Sequence, residues 1–333
     1  MPNDSMRAAR IHAFGPPEAV VIDQVPVPTP GEGEVLIRVL AAGAGPWDAW
    51  IRAGKSVLPH PLPLTLGSDL AGTVEAIGPG VTDLVPGDEV YGVTNGEFVG
   101  AWADFALAEA SRLARKPRTL DYLRAAGAPI VAVTAWQLLF DSARIEAGWR
   151  VLINGAVGNV GAYAIQLAAR AGAHVIATCA AKDLDLARSL GAETVIDHRD
   201  PMPLVEAAGG GIDAAIDLVG GEAQARALTA VRPGGVLVSA VSTPDPDLAA
   251  AHGVRASFML VDVRTDTMAE IARLIDRGDL RAGDVGEALP LEEAVRVQRM
   301  LDGTEPRRRG KIVLAVAEEQ ETADRRPGTA RPG

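Results

Sequence analysis

The chain has few of the residues that define several protein classes. It contains one cysteine, Cys179, among 333 residues. An intramolecular disulfide and a zinc cluster built from several thiolates are therefore excluded. No apolar run reaches the roughly 18 residues that span a bilayer, and the first ten residues, MPNDSMRAAR, carry no apolar signal core. These absences predict a cytoplasmic protein with no membrane partner.

Positive charge and aromatic side chains are also scarce. Lys and Arg number 32 against 43 Asp and Glu, which gives a net charge of -11. Nucleic acid is not an expected partner, because neutralising phosphates needs clustered Lys and Arg. Aromatic residues make up only 4% of the chain, so the cores must be built from Ala, Val, Leu and Ile. The length is typical of two domains.

Two kinds of pattern divide the chain. As far as about residue 120, short apolar segments are separated by Gly and Pro, which favours a β-rich module. From about residue 121, strand and helix patterns alternate, and this alternation predicts a parallel, doubly wound sheet of the α/β class. The segment 318–333 is charged and rich in Pro, Gly and Thr, so we expect it to be disordered.

A glycine-rich turn stands between the first strand and the first helix of the alternating region. The segment following the strand RVLIN reads GAVGNVG, close to the G-x-G-x-x-G pattern but with Ala156 at its first glycine. Gly158 stands where the backbone must approach a pyrophosphate, and Gly161 where the helix must pack on the sheet. The strand before it and the helix after it supply the context that the motif requires. The turn is predicted to bind a dinucleotide through Gly155, Ala156, Val157, Gly158, Asn159 and Val160.

The end of the next strand indicates which dinucleotide binds. An acidic residue about 20 positions after the glycines would hold the ribose hydroxyls of NAD. Here the chain reads TCAAK from Thr178 to Lys182, and no acid stands among the first four positions. Thr178, Ala180 and Lys182 are the candidate ligands, with Lys182 facing a 2′-phosphate, and NADPH is the expected cofactor. The alternative for Lys182 is a solvated position at the start of a helix.

Several motifs in order give the chain a family resemblance. They include LPLTLGSDLAGTVEAIGPGV, VPGDEVYG, VTAWQLL, GAVGNVG, LGAETVIDHR, IDLVGG and RGKIVLAV. Over residues 6 to 316 the chain resembles the medium-chain dehydrogenase/reductase superfamily, in its zinc-free, quinone-oxidoreductase-like branch. The resemblance implies a GroES-like catalytic domain split between residues 1–123 and 266–317. It also implies a Rossmann nucleotide-binding domain over residues 124–265 and an active site in the cleft between the domains.

The resemblance also bears on metal and on individual residues. Zinc-dependent relatives carry a His within a GHE motif, and Ser68 stands at that position, so no metal site is expected. Thr134 matches a threonine near the nicotinamide, and His198 falls where relatives often have a tyrosine near the adenosine phosphate, although an ordinary loop position suits His198 equally. Lys311 matches the closing Gly-Lys, with an ordinary strand charge as its alternative. The positions implied at the nicotinamide end are Val219, Val241 and Phe258.

The chain departs from the family where relatives often read N-P-x-D-x-Y-x-R. Gly45 replaces the Asn, Trp50 replaces the Tyr, and Trp47 is an additional indole. Gly45, Trp47 and Trp50 are the candidate substrate-binding residues, and two indoles favour a flat aromatic substrate. Both tryptophans could instead simply pack the domain. Thr134, Trp50 and Asp48 are the candidate catalytic residues, with Asp48 the candidate proton donor or else a local helix cap.

These features predict an NADPH-dependent reductase that delivers hydride to a quinone or to an activated C=C bond of an α,β-unsaturated carbonyl. Two alternatives stay open: a dedicated biosynthetic enoyl reductase of a polyketide-like aromatic substrate, and a cofactor-binding protein without turnover. A homodimer is expected as well. The apolar segment ASFMLVDV over 256–263 reads as an unprotected edge strand, which a second copy would cover.

Overall fold

The structure is a computed structural model that describes residues 5–317. The predicted tail at 318–333 lies outside the described residues. No helix within the described range is long and apolar enough to cross a membrane. The strands are β1 (Ser5–Ile11), β2 (Val20–Pro26), β3 (Glu34–Ala44), β4 (Leu64–Thr65), β5 (Asp69–Ile77), β6 (Glu89–Val93), β7 (Phe105–Glu109), β8 (Leu113–Arg115), β9 (Arg150–Asn154), β10 (His174–Cys179), β11 (Thr194–Asp197), β12 (Ile212–Asp217), β13 (Val231–Ser239), β14 (Arg255–Phe258), β15 (Val285–Pro290) and β16 (Lys311–Ala315).

The helices are mostly short. Helix α3 continues into a π-helical turn at Gln137–Ser142. The α-helices are α1 (Pro46–Arg52), α2 (Tyr122–Ala126), α3 (Pro129–Trp136), α4 (Asn159–Arg170), α5 (Leu184–Ser189), α6 (Leu204–Ala207), α7 (Gly221–Ala230), α8 (Pro246–His252), α9 (Thr265–Asp276) and α10 (Ala294–Leu301).

The described chain divides into two compact units. Unit 1 comprises residues 5–129, 264–272 and 284–317, and unit 2 comprises 130–263 and 273–283. The sequence analysis assigned residues 273–283 to the catalytic domain. They group with unit 2 because their backbone is held by α4: the Arg281 N–H donates to Gln166 Oε1 at 2.8 Å, and the Gly283 N–H donates to the Tyr163 hydroxyl at 3.0 Å.

Unit 1 is built on mostly antiparallel strands, with β15 and β16 as a parallel pair. Its larger sheet has the order β15-β16-β3-β5-β6-β8, with β7 also paired to β3, and a smaller sheet has the order β2-β1-β4. Strand β16 pairs antiparallel with β3, so that Val313 lies opposite Gly43. The last strand within residues 5–317 thus completes a sheet begun by residues more than two hundred positions earlier. This connection places Lys311 beside the segment that follows β3.

Unit 2 is the predicted doubly wound sheet. Its six strands are all parallel, in the order β11-β10-β9-β12-β13-β14. The strand order reverses between β9 and β12, and ligands of such sheets bind at the carboxyl ends of the strands beside this reversal. The α/β fold class with a GroES-like unit and a Rossmann-like unit is therefore confirmed.

The edge strand of unit 2 is shorter than the sequence predicts. Strand β14 pairs with β13 only over Arg255–Phe258, so the prediction of a strand over 256–263 is wrong for its second half. The chain leaves the sheet after Phe258 because the side chain of Gln137 binds the backbone of Asp262. The Asp262 N–H donates to Gln137 Oε1 at 3.0 Å, and Gln137 Nε2 donates to the Asp262 carbonyl at 2.7 Å.

Candidate functional site

The glycine turn between β9 and α4 is as tight as its sequence indicates. Gly155 has a φ of +81°, and a Cβ there would lie 2.9 Å from Val219 Cγ2. A Cβ on Gly161 would lie 2.5 Å from the Gly155 carbonyl oxygen. These two positions therefore exclude side chains. Ala156 is tolerated at the first glycine position because its methyl group points into the core, where the residue is fully buried.

The start of α4 is open to an anion. Its N-cap is Gly158, which provides no side-chain oxygen for the first N–H groups of the helix. Gly158 and Asn159 are exposed. Unpaired N–H groups and the positive end of the helix dipole attract phosphate. The turn therefore fits a dinucleotide pyrophosphate, with Gly155, Ala156, Val157, Gly158, Asn159 and Val160 forming its backbone cradle.

The carboxyl ends of β10 and β11 carry exposed positive charge. Lys182 is exposed and its neighbour Asp183 is buried, so the cation faces solvent while the carboxylate turns inward. The imidazole of His198 is half-exposed, and its Nδ1 lies 3.1 Å from the Cys179 carbonyl oxygen. Arg199, which the sequence analysis did not single out, is also exposed. Neither Lys182 nor Arg199 has an ion-pair partner within residues 5–317.

Two predicted cofactor residues have hydroxyl groups already engaged within unit 2. Thr178 is buried and its Oγ1 donates to Asn154 Oδ1 at 2.7 Å. Thr134 is buried in α3, where its Oγ1 donates to the Ile130 carbonyl at 2.7 Å. Ala180 is half-buried at the end of β10. The two hydroxyl groups therefore bind within the protein, and the exposed polar side chains at this end of the sheet are Lys182 and its neighbours.

A buried polar network that was not predicted from the sequence lies at the carboxyl ends of β9, β12 and β13. Asn154 ends β9, Asp217 ends β12 and Ser239 ends β13. Asn154 Nδ2 donates to Asp217 Oδ1 at 2.9 Å, and Ser239 Oγ donates to Asp217 Oδ2 at 2.8 Å. The available signal was a polar residue at the end of several apolar strands, because the carboxyl ends of parallel strands meet at one edge of the sheet. The network ties the strands together at the reversal of strand order.

An apolar ledge lies above the carboxyl ends of β12, β13 and β14. It consists of the predicted nicotinamide-end residues Val219, Val241 and Phe258, which are 49%, 41% and 43% exposed. A Cβ on Gly220 would lie 3.2 Å from Val241 Cγ1, so the turns that carry the two valines pack closely. Unit 2 thus offers a phosphate cradle beside a flat apolar surface, as a dinucleotide requires.

One candidate substrate residue of unit 1, Trp47, covers a buried ion pair. Lys311 Nζ lies 2.8 Å from Asp69 Oδ2, and both side chains are almost fully buried. The indole of Trp47 covers the ammonium, with 4.5 Å from Nζ to the ring centroid. The charge of Lys311 is thus neutralised inside unit 1 rather than displayed for a phosphate. Trp50 is half-exposed on the same helix, α1.

The glycine at position 45 is explained by Trp47. A Cβ on Gly45 would lie 2.2 Å from Cη2 of the Trp47 ring. The indole therefore occupies the volume that a side chain at position 45 would need. Glycine at position 45 and tryptophan at position 47 are thus structurally linked, because a larger residue at position 45 would require the indole to shift.

Asp48 is fully buried beside this pair. Its Oδ2 accepts from the Gly45 N–H at 2.7 Å, which caps the start of α1. Burial raises the pKa of Asp48 to about 8, although the Gly45 N–H and the Lys311 ammonium oppose the rise. Asp48 Oδ1, Ser68 Oγ and Trp47 Nε1 are buried without a hydrogen-bond partner in the described chain. Asp48 is therefore a local cap, as one interpretation held, and also an acid that carries a proton at neutral pH.

Segments of both units match known protein families. The family model described as alcohol dehydrogenase GroES-like domain matches residues 31–118, and the model described as zinc-binding dehydrogenase matches residues 159–260. A probable zinc-binding oxidoreductase, mitochondrial, of Arthroderma benhamiae is 33% identical over 323 residues, which cover 90% of this chain and 94% of that protein. The chain belongs to the medium-chain dehydrogenase/reductase superfamily, in its quinone-oxidoreductase-like branch.

Two further members of this superfamily are informative. The quinone oxidoreductase of Rattus norvegicus is 38% identical over 197 residues, and the match spans 59% of each chain. A mycobacterial protein solved in complex with NADPH is 30% identical, with a TM-score of 0.81, and the superposition covers 93% of this chain and all of that one. This chain is accordingly an oxidoreductase of a superfamily that binds nicotinamide dinucleotides.

The residues of this superfamily member do not fit the zinc that some relatives carry. Within residues 5–317, no group of three or more His, Cys, Asp or Glu side chains is placed to hold a metal ion. Ser68 occupies the position of the GHE histidine. A Cβ on Gly67 would lie 1.9 Å from the Trp102 ring, so the backbone of this segment is fixed by packing. Of the two acids nearby, Asp69 is paired with the Lys311 ammonium and Asp48 caps the start of α1.

Proposed function

We propose that the protein is an NADPH-dependent reductase of quinones or α,β-unsaturated carbonyl compounds that transfers hydride without a metal. The observation that carries this proposal is the donor set of unit 1. The buried ion pair of Asp69 and Lys311 lies below Trp47, next to Ser68, where a metal-dependent relative has an imidazole ligand. Without a Lewis acid, alkoxide chemistry is disfavoured. Quinones and enones need none, because they delocalise the incoming charge themselves.

The choice of NADPH rests on the charges at the adenosine side. Lys182 and Arg199 are exposed at the ends of neighbouring strands, while Asp183 is buried and unavailable to a ribose. Cations in this position suit a 2′-phosphate, whereas an acid in this position would select NAD. The mycobacterial neighbour with bound NADPH supports the same choice.

The chain's own residues would bind and orient the reactants. The turn 155–160 would hold the pyrophosphate, and the ledge of Val219, Val241 and Phe258 would support the flat nicotinamide. When bound, the reduced nicotinamide would supply the hydride. Trp47, fixed over Lys311, presents a rigid indole, and Trp50 a second one, which favours planar substrates. Orientation of this kind lowers the barrier by fixing the reacting groups before the reaction.

The test is steady-state NADPH oxidation with a panel of quinones, enones and simple alcohols. We expect turnover with planar quinones or aromatic enones and none with alcohols, and metal analysis of protein purified without a metal-affinity tag should find well under one equivalent of zinc. Turnover of a single polyketide-like enone would instead support the dedicated enoyl reductase. Tight NADPH binding with no turnover across the panel would refute the reductase.

The cofactor preference has a separate test. We expect NADPH to bind more tightly than NADH, and Lys182→Ala to reduce that difference about tenfold, because it removes one charge-assisted phosphate contact. Arg188→Ala is the matched control, since Arg188 is exposed on the following helix and pairs with Asp185. Equal affinities of the unmodified protein for the two cofactors would contradict the preference.

We also propose that the protein forms a homodimer through the edge of unit 2. Strand β14 is an outer strand of the six-stranded sheet, and Phe258 and Leu260 beside it are exposed. Antiparallel pairing of β14 with a second copy would cover this edge with one self-complementary contact. Light scattering at micromolar concentration tests this. A mass near the 34.6 kDa of one chain would rule the dimer out.

A further inference from the structure

Asp217 has an unusual environment for a buried acid. It ends β12 and is fully buried. Besides Asn154 and Ser239, it accepts hydrogen bonds from the Val219 and Gly220 N–H groups, each at 3.2 Å, and from Gln224 Nε2 at 3.0 Å. Every one of these five donors is an N–H or O–H group, and such donors stabilise the ionised form of a carboxylate.

The charge of Asp217 has no counter-ion. Within residues 5–317, no lysine or arginine side chain pairs with it, and its donors from Asn154, Gln224, Ser239 and the backbone are all neutral. Asp213, on the same strand, shows the contrast, because Arg232 binds it at 2.6 Å. The negative charge of a buried carboxylate that only neutral groups bind is not cancelled by an opposite charge. Its electric field therefore acts through the surrounding low-dielectric interior.

This field acts on the ligand crevice. Strand β12 adjoins β9 at the reversal of strand order, where dinucleotides bind. The glycine turn after Asn154 marks the position of the pyrophosphate, which joins the two nucleotides of the cofactor. The adenosine half lies toward β10 and β11, and the half of the sheet formed by β12, β13 and β14 receives the nicotinamide nucleotide. Asp217 binds the backbone of Val219, whose exposed side chain belongs to the apolar ledge. The carboxylate thus lies at the carboxyl end of β12, hydrogen-bonded to the backbone of the apolar ledge to which we assign the nicotinamide.

The nicotinamide ring changes charge in the reaction. The reduced ring is neutral, and after its C4 carbon gives up a hydride, with both electrons of the C–H bond, the ring carries one positive charge. We propose that Asp217 stabilises the oxidised, cationic ring relative to the reduced one, and so makes the bound reduced cofactor a stronger hydride donor. The inference rests on the nicotinamide cofactor of the superfamily and is independent of the acceptor proposed above.

The experiment measures cofactor affinities rather than turnover. Dissociation constants of NADP⁺, NADPH, NAD⁺ and NADH are determined by calorimetry for the unmodified protein and for Asp217→Asn. The variant keeps the shape of the side chain, and rotation of the Ser239 hydroxyl and the Gln224 amide can accommodate its NH₂ group. We expect the ratio of oxidised to reduced dissociation constants to rise about tenfold, the size of effect that one charge exerts at moderate distance in a protein.

A second variant neutralises the charge without altering Asp217. Gln224→Lys places an ammonium near the present amide nitrogen, 3.0 Å from Asp217 Oδ2, and should shift the ratio in the same direction. Gln224→Met and Ser239→Ala each remove a neutral donor and keep the charge. These controls should leave the ratio within about twofold of that of the unmodified protein. They show whether the loss of packing or of one hydrogen bond, without a change of charge, is enough to shift the ratio.

The outcomes separate the two proposals. If the unmodified protein binds neither cofactor pair, both the proposed function and this inference fail. If it binds them, and either neutralising variant that folds leaves the ratio unchanged, the electrostatic role of Asp217 is refuted while the reductase stands. An equal shift in the Gln224→Met control would also refute it, because a neutral change would then reproduce the effect.

Discussion

Each unit buries an aspartate completely at its candidate site, and the two aspartates are held in opposite ways. In unit 2, Asp217 accepts five hydrogen bonds that use both of its oxygens. In unit 1, Asp48 accepts from the Gly45 N–H through Oδ2, and its Oδ1 has no partner in the described chain. Both oxygens of Asp217 are therefore hydrogen-bonded, whereas one oxygen of Asp48 is not, and burial raises the pKa of Asp48.

The two units differ in whether the buried polar groups at their candidate sites have all of their hydrogen-bond partners. The network around Asp217 is complete, so it fixes the strand ends and leaves ligand contacts to the backbone above it. The group around Asp48 is incomplete, since Ser68 Oγ and Trp47 Nε1 also lack partners. Buried polar atoms without partners are costly in stability. Their retention beside the substrate candidates Gly45, Trp47 and Trp50 is consistent with a site that a bound molecule completes.

The largest expected effect comes from breaking the ion pair of unit 1. Lys311→Met would leave Asp69 as a buried charge without its cation, which costs about 3–5 kcal/mol in the free energy of unfolding. Urea denaturation at pH 7 measures this. The double variant Asp69→Asn with Lys311→Met removes both charges and should recover most of the loss. A single variant as stable as the unmodified protein would show that the pair is not buried.

The second effect is a pH dependence that Asp48 should impose. Its pKa in the folded protein is raised to about 8, while the unfolded value stays near 3.8. The folded state thus binds one more proton than the unfolded state between these values, and the stability falls as pH rises through that window. The slope is about 1.4 kcal/mol per pH unit, so the loss between pH 5 and pH 7 is up to about 2.7 kcal/mol.

Asp48→Asn provides the comparison, because it cannot titrate but can still accept from the Gly45 N–H. We expect the stability of the unmodified protein minus that of Asp48→Asn to decline steadily from pH 5 to pH 7. Denaturation curves at intervals of half a pH unit measure it. A difference that stays flat, or that grows with pH, would mean that Asp48 is ionised in the folded protein.

The third effect tests the exclusion between positions 45 and 47. Gly45→Asn should cost about 1–3 kcal/mol, because its Cβ would meet the Trp47 ring and force a shift. In the background of Trp47→Ala the same substitution should cost much less. A double-mutant cycle measures this coupling. Additive costs would show that the indole moves aside freely, and the two positions would then be independent.

The sequence predicted the elements whose signals are local. The glycine turn, the alternation of strands and helices, and the exposed Lys182 follow from spacing and from the restrictions on backbone conformation. Helix α8 was missed although its signals are present: Asp245 caps it through Oδ1, Pro246 begins it, and Gly253 ends it with a φ of +64°. A helix of seven residues makes only two turns, so its hydrophobic periodicity is weak. Such a helix is recognised from the residues that cap its ends.

Other features depend on contacts between distant residues and could not be predicted in this way. The strand expected over 256–263 stops at Phe258 because Gln137, more than a hundred residues earlier, takes over its backbone hydrogen bonds. The reason for Gly45 is the position of the Trp47 ring, which depends on Lys311. The donors of Asp217 come from two other strands, from the loop after β12 and from α7. In each case the sequence identifies the residue, but only the fold supplies its partner.

The smallest expected effect tests whether the network of unit 2 is redundant. Ser239→Ala removes one of the five donors to Asp217 and leaves the remaining four in place. The expected cost is about 1 kcal/mol, the usual net value of one hydrogen bond, well below the cost expected for removing the Lys311 ammonium from Asp69. Urea denaturation of Ser239→Ala and Lys311→Met under identical conditions makes the comparison direct. A cost for Ser239→Ala equal to that of Lys311→Met would mean that Asp217 depends on one critical donor, and the contrast between a complete and an incomplete buried acid would fail.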